Sequence, residues 1–98
     1  MSYRVEFLGI AEEELEDAVQ WYANQKDNLS ASFVSAIDIL LSYVIENPFL
    51  FPIVHNEMRK ATLRSFPYSI IYEVHNPDVI LVIAIMHQKR NPDRFIDR

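Results

Sequence analysis

The 98-residue sequence has no cysteine and a single glycine. Without cysteine no disulfide framework can form, so one hydrophobic core has to carry the fold; a chain this long buries roughly two-thirds of its unfolded surface. A lone glycine excludes a glycine-rich phosphate loop and a Gly-x-Ser-x-Gly nucleophile elbow. Long apolar runs are missing too. The longest falls far short of the roughly 20 residues of a spanning helix, and MSYRVEFLG has neither the basic leader nor the apolar stretch of a signal peptide. A cytoplasmic protein with no membrane association is expected. His55 and His75 fall in loops with no cysteine or paired carboxylate at ligand spacing, so neither a metal site nor a cofactor is expected.

Positive charge is scarce and unevenly placed. The net charge is −5, yet residues 1–57 hold two cations, Arg4 and Lys26, against ten carboxylates, while residues 58–98 hold seven cations against four. The acidic balance argues against unspecific nucleic-acid binding, which depends on neutralising many phosphates. Lys89, Arg90 and Arg94, gathered around Asn91-Pro92-Asp93, form a local docking patch or solubilise that half; charge alone leaves both open.

Hydrophobic period then sets the elements. Tyr3, Val5 and Phe7 alternate with Arg4 and Glu6, a short strand ended by Gly9. From Ile10 the period becomes helical, with Ala11, Leu15, Ala18, Val19 and Tyr22 on one stripe. Glu12, Glu13 and Glu14 fall in its first turn, where the helix dipole favours carboxylates. NQKDN breaks the pattern, and Asn28 or Ser30 caps a second helix with the stripe Phe33, Ile37, Leu40, Leu41 and Val44. That helix stops at Asn47, because Pro48 disfavours helical geometry before it. The short link predicts an antiparallel helical hairpin.

FLFPIVHNE reads as irregular, with Phe49, Phe51 and Ile53 lapping over the core edge. From Met58 the chain is extended. Lys60, Thr62 and Arg64 oppose Ala61 and Leu63; after Ser65-Phe66-Pro67, the residues Tyr68, Ile70, Tyr72 and Val74 share a face. His75-Asn76-Pro77-Asp78 makes a turn. Val79–Met86 is apolar on both faces and belongs inside the sheet. The expected architecture is α+β, a two-layer β-α-α-β-β-β domain with the helical hairpin on one face of a mainly antiparallel sheet. Two helices cover one face only. Ile71, Ile80, Val82 and Met86 are out of phase with their apolar neighbours, so either the chain's own irregular segments cover the other face or a partner or second copy does, and the latter is expected.

This order of elements, together with RSFPYSIIYEV and AIMHQKRNPDRF, resembles the RelE/ParE superfamily of toxins from bacterial two-gene (type II) toxin–antitoxin systems, closest to its ParE-like branch. AEEELEDAVQWYANQ and ENPFLFPIV look like the corresponding family segments. The most specific part is Arg64, then Pro67-Tyr68 and Tyr72, then His87, Arg90, Pro92-Asp93 and Phe95. The likeness spans nearly the whole chain, a single toxin domain over residues 1–98. It implies a growth-inhibiting, plasmid-stabilising toxin neutralised by a cognate antitoxin whose flexible segment folds along the toxin surface. RelE-like members cut messenger RNA, many of them on the ribosome; ParE-like members with known targets poison DNA gyrase.

Metal-independent RNA cleavage needs a base for the 2′-hydroxyl, an acid for the leaving oxygen and cations facing the phosphate. His87, with Arg64, Lys60 and Arg90, is the constellation available. Three departures from the cleaving relatives weaken it: Ser69 stands where they carry an arginine, Thr62 where they tend to carry a second lysine, and Phe95 where they commonly use a tyrosine. The first expectation is thus a toxin acting by binding, with gyrase as target. The alternatives are a RelE-type endoribonuclease and a non-toxic protein-binding remnant. Lys60, Arg64, His87, Lys89, Arg90, Arg94 and Phe95 are the candidates for target or antitoxin contact. The blander roles are a His87 bond to a turn carbonyl, an Arg64 pair with Glu73 or the C-terminal carboxylates, and solvated Arg94 and Arg98.

Overall fold

The computed structural model describes residues 2–25, 27–89 and 95–98. Its elements are β1 (Arg4–Phe7), α1 (Gly9–Ala23), α2 (Ser30–Glu46), β2 (Ile53–His55), β3 (Met58–Thr62), β4 (Tyr68–His75) and β5 (Val79–His87). They form one five-stranded sheet in the order β1-β5-β4-β3-β2. β1 runs parallel to β5 and every other pairing is antiparallel. The architecture is the α+β sandwich expected, with one strand more. FLFPIVHNE is not wholly irregular: Ile53–His55 pairs with β3 and becomes the edge of the sheet. Phe49 and Ile53 are each 55% exposed rather than lapped over the core, and only Phe51 packs against it.

α2 ends at Glu46, just ahead of Asn47-Pro48, as the proline requires. Its start differs from expectation. Neither Asn28 nor Ser30 caps a backbone amide; the Ser30 hydroxyl lies 2.9 Å from Asn28 Oδ1, and Asn28 sits at φ 46°. The stripe is as read, with Phe33, Ile37, Leu40 and Val44 buried. They meet Ala18 and Tyr22 of α1 and Ala61, Leu63, Tyr68, Ile70 and Tyr72 of the sheet in the larger core. The rings of Tyr22 and Phe33 lie 4.9 Å apart, and each packs edge-on to Phe66. Burial among these rings raises the Tyr22 phenol pKa above 10.0, with Tyr68 adding to the effect.

Strict alternation fails in β5, and a bulge is the reason. Tyr72 pairs with Val82 but Ile71 pairs with Ala84, leaving Ile83 as the extra residue. Ile80, Val82 and Ile85 therefore belong to the helix-side core, while Ile83, Ala84 and Met86 belong to a smaller core on the opposite face, against which Leu81 packs. That second core also takes Met58, Ile71 and Phe95, with Leu8 and Ile96 packed against it. Ile71 and Ile80 are fully buried and Met86 nearly so. The chain covers its own second face with Leu8, Phe95 and Ile96, so the expected partner or second copy gives way to the other reading, cover by the chain's own segments.

One ion pair fastens this arrangement. Arg98 Nη1 and Nη2 donate to Glu14 Oε1 and Oε2 at 2.7 and 2.8 Å, and Nη1 also reaches the Ile83 carbonyl at 3.1 Å. Glu14 Oε1 accepts the Ile85 amide at 3.1 Å. Both side chains are close to nine-tenths buried. Glu14 is thus more than a first-turn carboxylate and Arg98 is not solvated; together they satisfy backbone groups of β5 beyond Val82, the last residue that β1 pairs with.

Candidate functional site

β3 and β4 place three of the sequence-singled residues on the second face. Lys60 lies between Met58, buried in the second core, and Thr62, so alternation sets it on that face. Thr62 Oγ1 and Ser69 Oγ lie 3.0 Å apart and share a hydrogen bond. Ser69 is buried. These two hydroxyls satisfy one another across the ladder.

His87 lies on the other side. It follows Ile85 by two residues, pairs with Tyr68, and stands edge-on to that ring at 5.0 Å. Its Nδ1 accepts the Lys89 amide at 3.0 Å, which fixes Nε2 as the protonated nitrogen of the neutral ring. The expected bond to a turn carbonyl is instead one from a turn amide. Gln88 N–H bonds to Pro67 O at 2.8 Å, tying the strand end to the β3–β4 connection. Lys89 is exposed beyond it. Lys60 and His87 are therefore on opposite faces of the sheet. Arg90 and Arg94 lie outside the described residues. Phe95 is buried in the second core, so its part is packing rather than surface contact.

Arg64 follows β3 and is exposed. Among the described residues it makes no ion pair; Glu73, its expected partner, is held by His75 at 2.9 Å. Arg64 instead lines a groove of about 490 Å³ with Ile39, Leu40 and Tyr43 of α2, Phe51 and Leu63. A second depression sharing Ala36, Ile39 and Ser65 extends it toward Ala31. Ile39 and Tyr43 are each more than half exposed. Reading the sequence for one stripe per helix missed this second apolar surface. The signal was present: α2 has only Asp38 and Glu46 as charged residues, too few for a helix whose outer face meets water.

Among the described residues the arrangement is an apolar trough with a cation on its rim, without a cluster of proton-transfer groups beside it. Among the described residues, no three His, Cys, Asp or Glu side chains are grouped to hold a metal ion. No helix among them is long and apolar enough to cross a membrane.

The family described as the ParE toxin of type II toxin–antitoxin systems, parDE, matches residues 5–92. No curated protein matches the chain. Among solved structures, a chain from the chromosomal ParDE TA system of P. aeruginosa superposes with TM-score 0.73 at 16% identity, over 87% of this chain and 95% of that one. A mutant of the E. coli toxin RelE, with two arginines changed to alanine and in the free state, superposes with TM-score 0.64 at 20% identity, over 91% of this chain and 86% of that one. At these identities the likeness to solved structures is one of fold.

Proposed function

The chain belongs to the ParE toxin family of type II toxin–antitoxin systems, and from that premise we propose that it inhibits DNA gyrase by binding and is neutralised by a cognate antitoxin. The observation that carries binding over catalysis is the separation of Lys60 from His87 across the sheet. A phosphate cannot be met at once by a cation on one face and a proton donor on the other. Buried Ser69 and Phe95 add no proton-transfer group. The antitoxin's contribution is an amphipathic segment whose apolar side chains fill the trough along α2 and whose carboxylate meets Arg64, a cation with no ion-pair partner among the described residues.

Controlled expression in a bacterium tests the target. Loss of DNA supercoiling and accumulation of breaks, with transcripts intact, is the expected outcome. Sequence-preferred cuts in translated messages, abolished by His87→Ala in a folded protein, would replace this reading with the RelE-type nuclease. An absence of both effects would leave the non-toxic remnant. For the antitoxin, Ile39→Glu should weaken binding about a hundredfold or more and Arg64→Ala about tenfold, measured by calorimetry on the purified pair.

A further inference from the structure

The outer edge of β3 is only partly covered. Leu63 N–H bonds to Tyr68 O at 3.0 Å, so Ala61 and Leu63 direct their backbone groups to β4, while Lys60 and Thr62 direct theirs to the opposite side. There Lys60 N–H meets Pro52 O at 3.0 Å, but a proline has no N–H to return. Ahead of Pro52 the chain lies off the ladder. Arg59 Nη1 donates to Phe49 O and Phe51 O at 3.0 and 2.7 Å, and Tyr72 Oη donates to Pro48 O at 2.7 Å. The β2 side therefore ends short of Thr62. Among the described residues no backbone group meets Thr62 N–H or C=O.

This open stretch borders the trough. Thr62, Leu63 and Arg64 line it together with Ile39 and Tyr43 of α2 and with Phe51. A segment laid in the trough strips water from the free Thr62 groups. A helix bonds its own backbone and would leave them unsatisfied, whereas an extended chain offers them a carbonyl and an amide. Charge speaks against a second copy as that chain. Antiparallel pairing of two copies about Thr62 would set each Lys60 opposite the other copy's Arg64.

We propose that the antitoxin enters the trough as an extended segment, paired with Thr62 as an added strand and carrying an apolar–acidic–apolar triplet. This rests on the trough being the antitoxin's site. Register dictates the triplet. The residue opposite Thr62 shares its face, with Lys60 two residues before and Arg64 two residues after on the rim, so a carboxylate there has a cation on either side. Its two neighbours lie opposite Ala61 and Leu63, which face the helix-side core. They are therefore apolar, set against Leu63, Ile39 and Tyr43.

Calorimetry with the purified antitoxin tests the pairing by comparing Thr62→Pro with Thr62→Val. Both variants lose the hydroxyl bonded to Ser69. Only the proline also loses the outward N–H, and no bond to β4 goes with it. Thr62→Pro should bind about tenfold or more weakly than Thr62→Val, and the Thr62 amide of the unsubstituted chain should exchange far more slowly in the complex than alone. Lys60→Ala should weaken binding about threefold. Equal affinities of the two Thr62 variants, or a Thr62 amide left unprotected, overturn the added strand in favour of a helix. Lys60→Ala without effect overturns the acidic centre of the triplet. If Thr62→Pro does not fold, amide exchange of the unsubstituted complex decides alone. Failure of the underlying reading looks different: Ile39→Glu would then leave binding intact, and the trough would not be the antitoxin's site at all.

Discussion

The two faces of the sheet are closed by different means. On one, helices of 15 and 17 residues lay a broad layer over Ile70, Tyr72 and Val82. On the other, Leu8, Phe95 and Ile96 cap a small core, and Glu14 with Arg98 ties the cap to the β5 bulge. The first face is stabilised mainly by buried area, which is non-directional and spread over many residues. The second depends on directional bonds made by two side chains. One consequence is a division of labour: both sheet faces are closed, and apolar surface stays exposed on the outside of α2 and along residues 49–54.

That contrast can be tested, beginning with the largest expected effect. Phe33→Ala removes a fully buried ring packed against Tyr22, Phe66 and Tyr68. It should cost about 3–5 kcal/mol of unfolding free energy in urea titration. Arg98→Ala comes next, at about 2–3 kcal/mol, because it leaves the Glu14 carboxylate nearly buried and unpaired. Exchange of the Ile85 amide should accelerate in that variant while helix-side amides such as Ile70 stay slow. A uniform acceleration would show that the two faces unfold together.

Tyr72→Phe should cost about 1–2 kcal/mol through the unsatisfied Pro48 carbonyl. It should also alter the alkaline limb of stability. Burial pushes the Tyr72 phenol up to about 12 from 10.0, with Arg59 opposing the shift. Between those values the unfolded chain has released the proton and the folded chain has kept it, so stability is full below pH 10 and falls as pH rises toward 12. Denaturation midpoints measured from pH 9 to 11 should decline less steeply in the phenylalanine variant. The smallest effect belongs to Lys60→Ala, within about 0.5 kcal/mol, since Lys60 has no ion-pair partner among the described residues. A larger loss would give Lys60 a structural part that its surroundings do not indicate.

Periodicity revealed both helices and the three long C-terminal strands, because an amphipathic stripe reports directly on burial. It failed at FLFPIVHNE, where a three-residue strand is too short for alternation to register. It failed again at Val79–Met86, since a run that is apolar throughout carries no phase information and hides the bulge at Ile83. The candidate site was legible only in outline. Arg64, Lys60 and His87 could be singled out by type, but which face each joins depends on that bulge and on pairing between strands distant in sequence.

The sequence by itself determined the order of every element except β2, the larger core and the resemblance to ParE toxins, all of which rest on local spacing or on residues in succession. Tertiary structure alone decided the rest. Residues 14 and 98 meet because α1 packs on β5 and the C-terminal turn returns to it, and Lys60 and His87 part because pairing registers put them on opposite faces. Contacts of that kind join residues far apart in the chain, so neither composition nor periodicity holds a record of them.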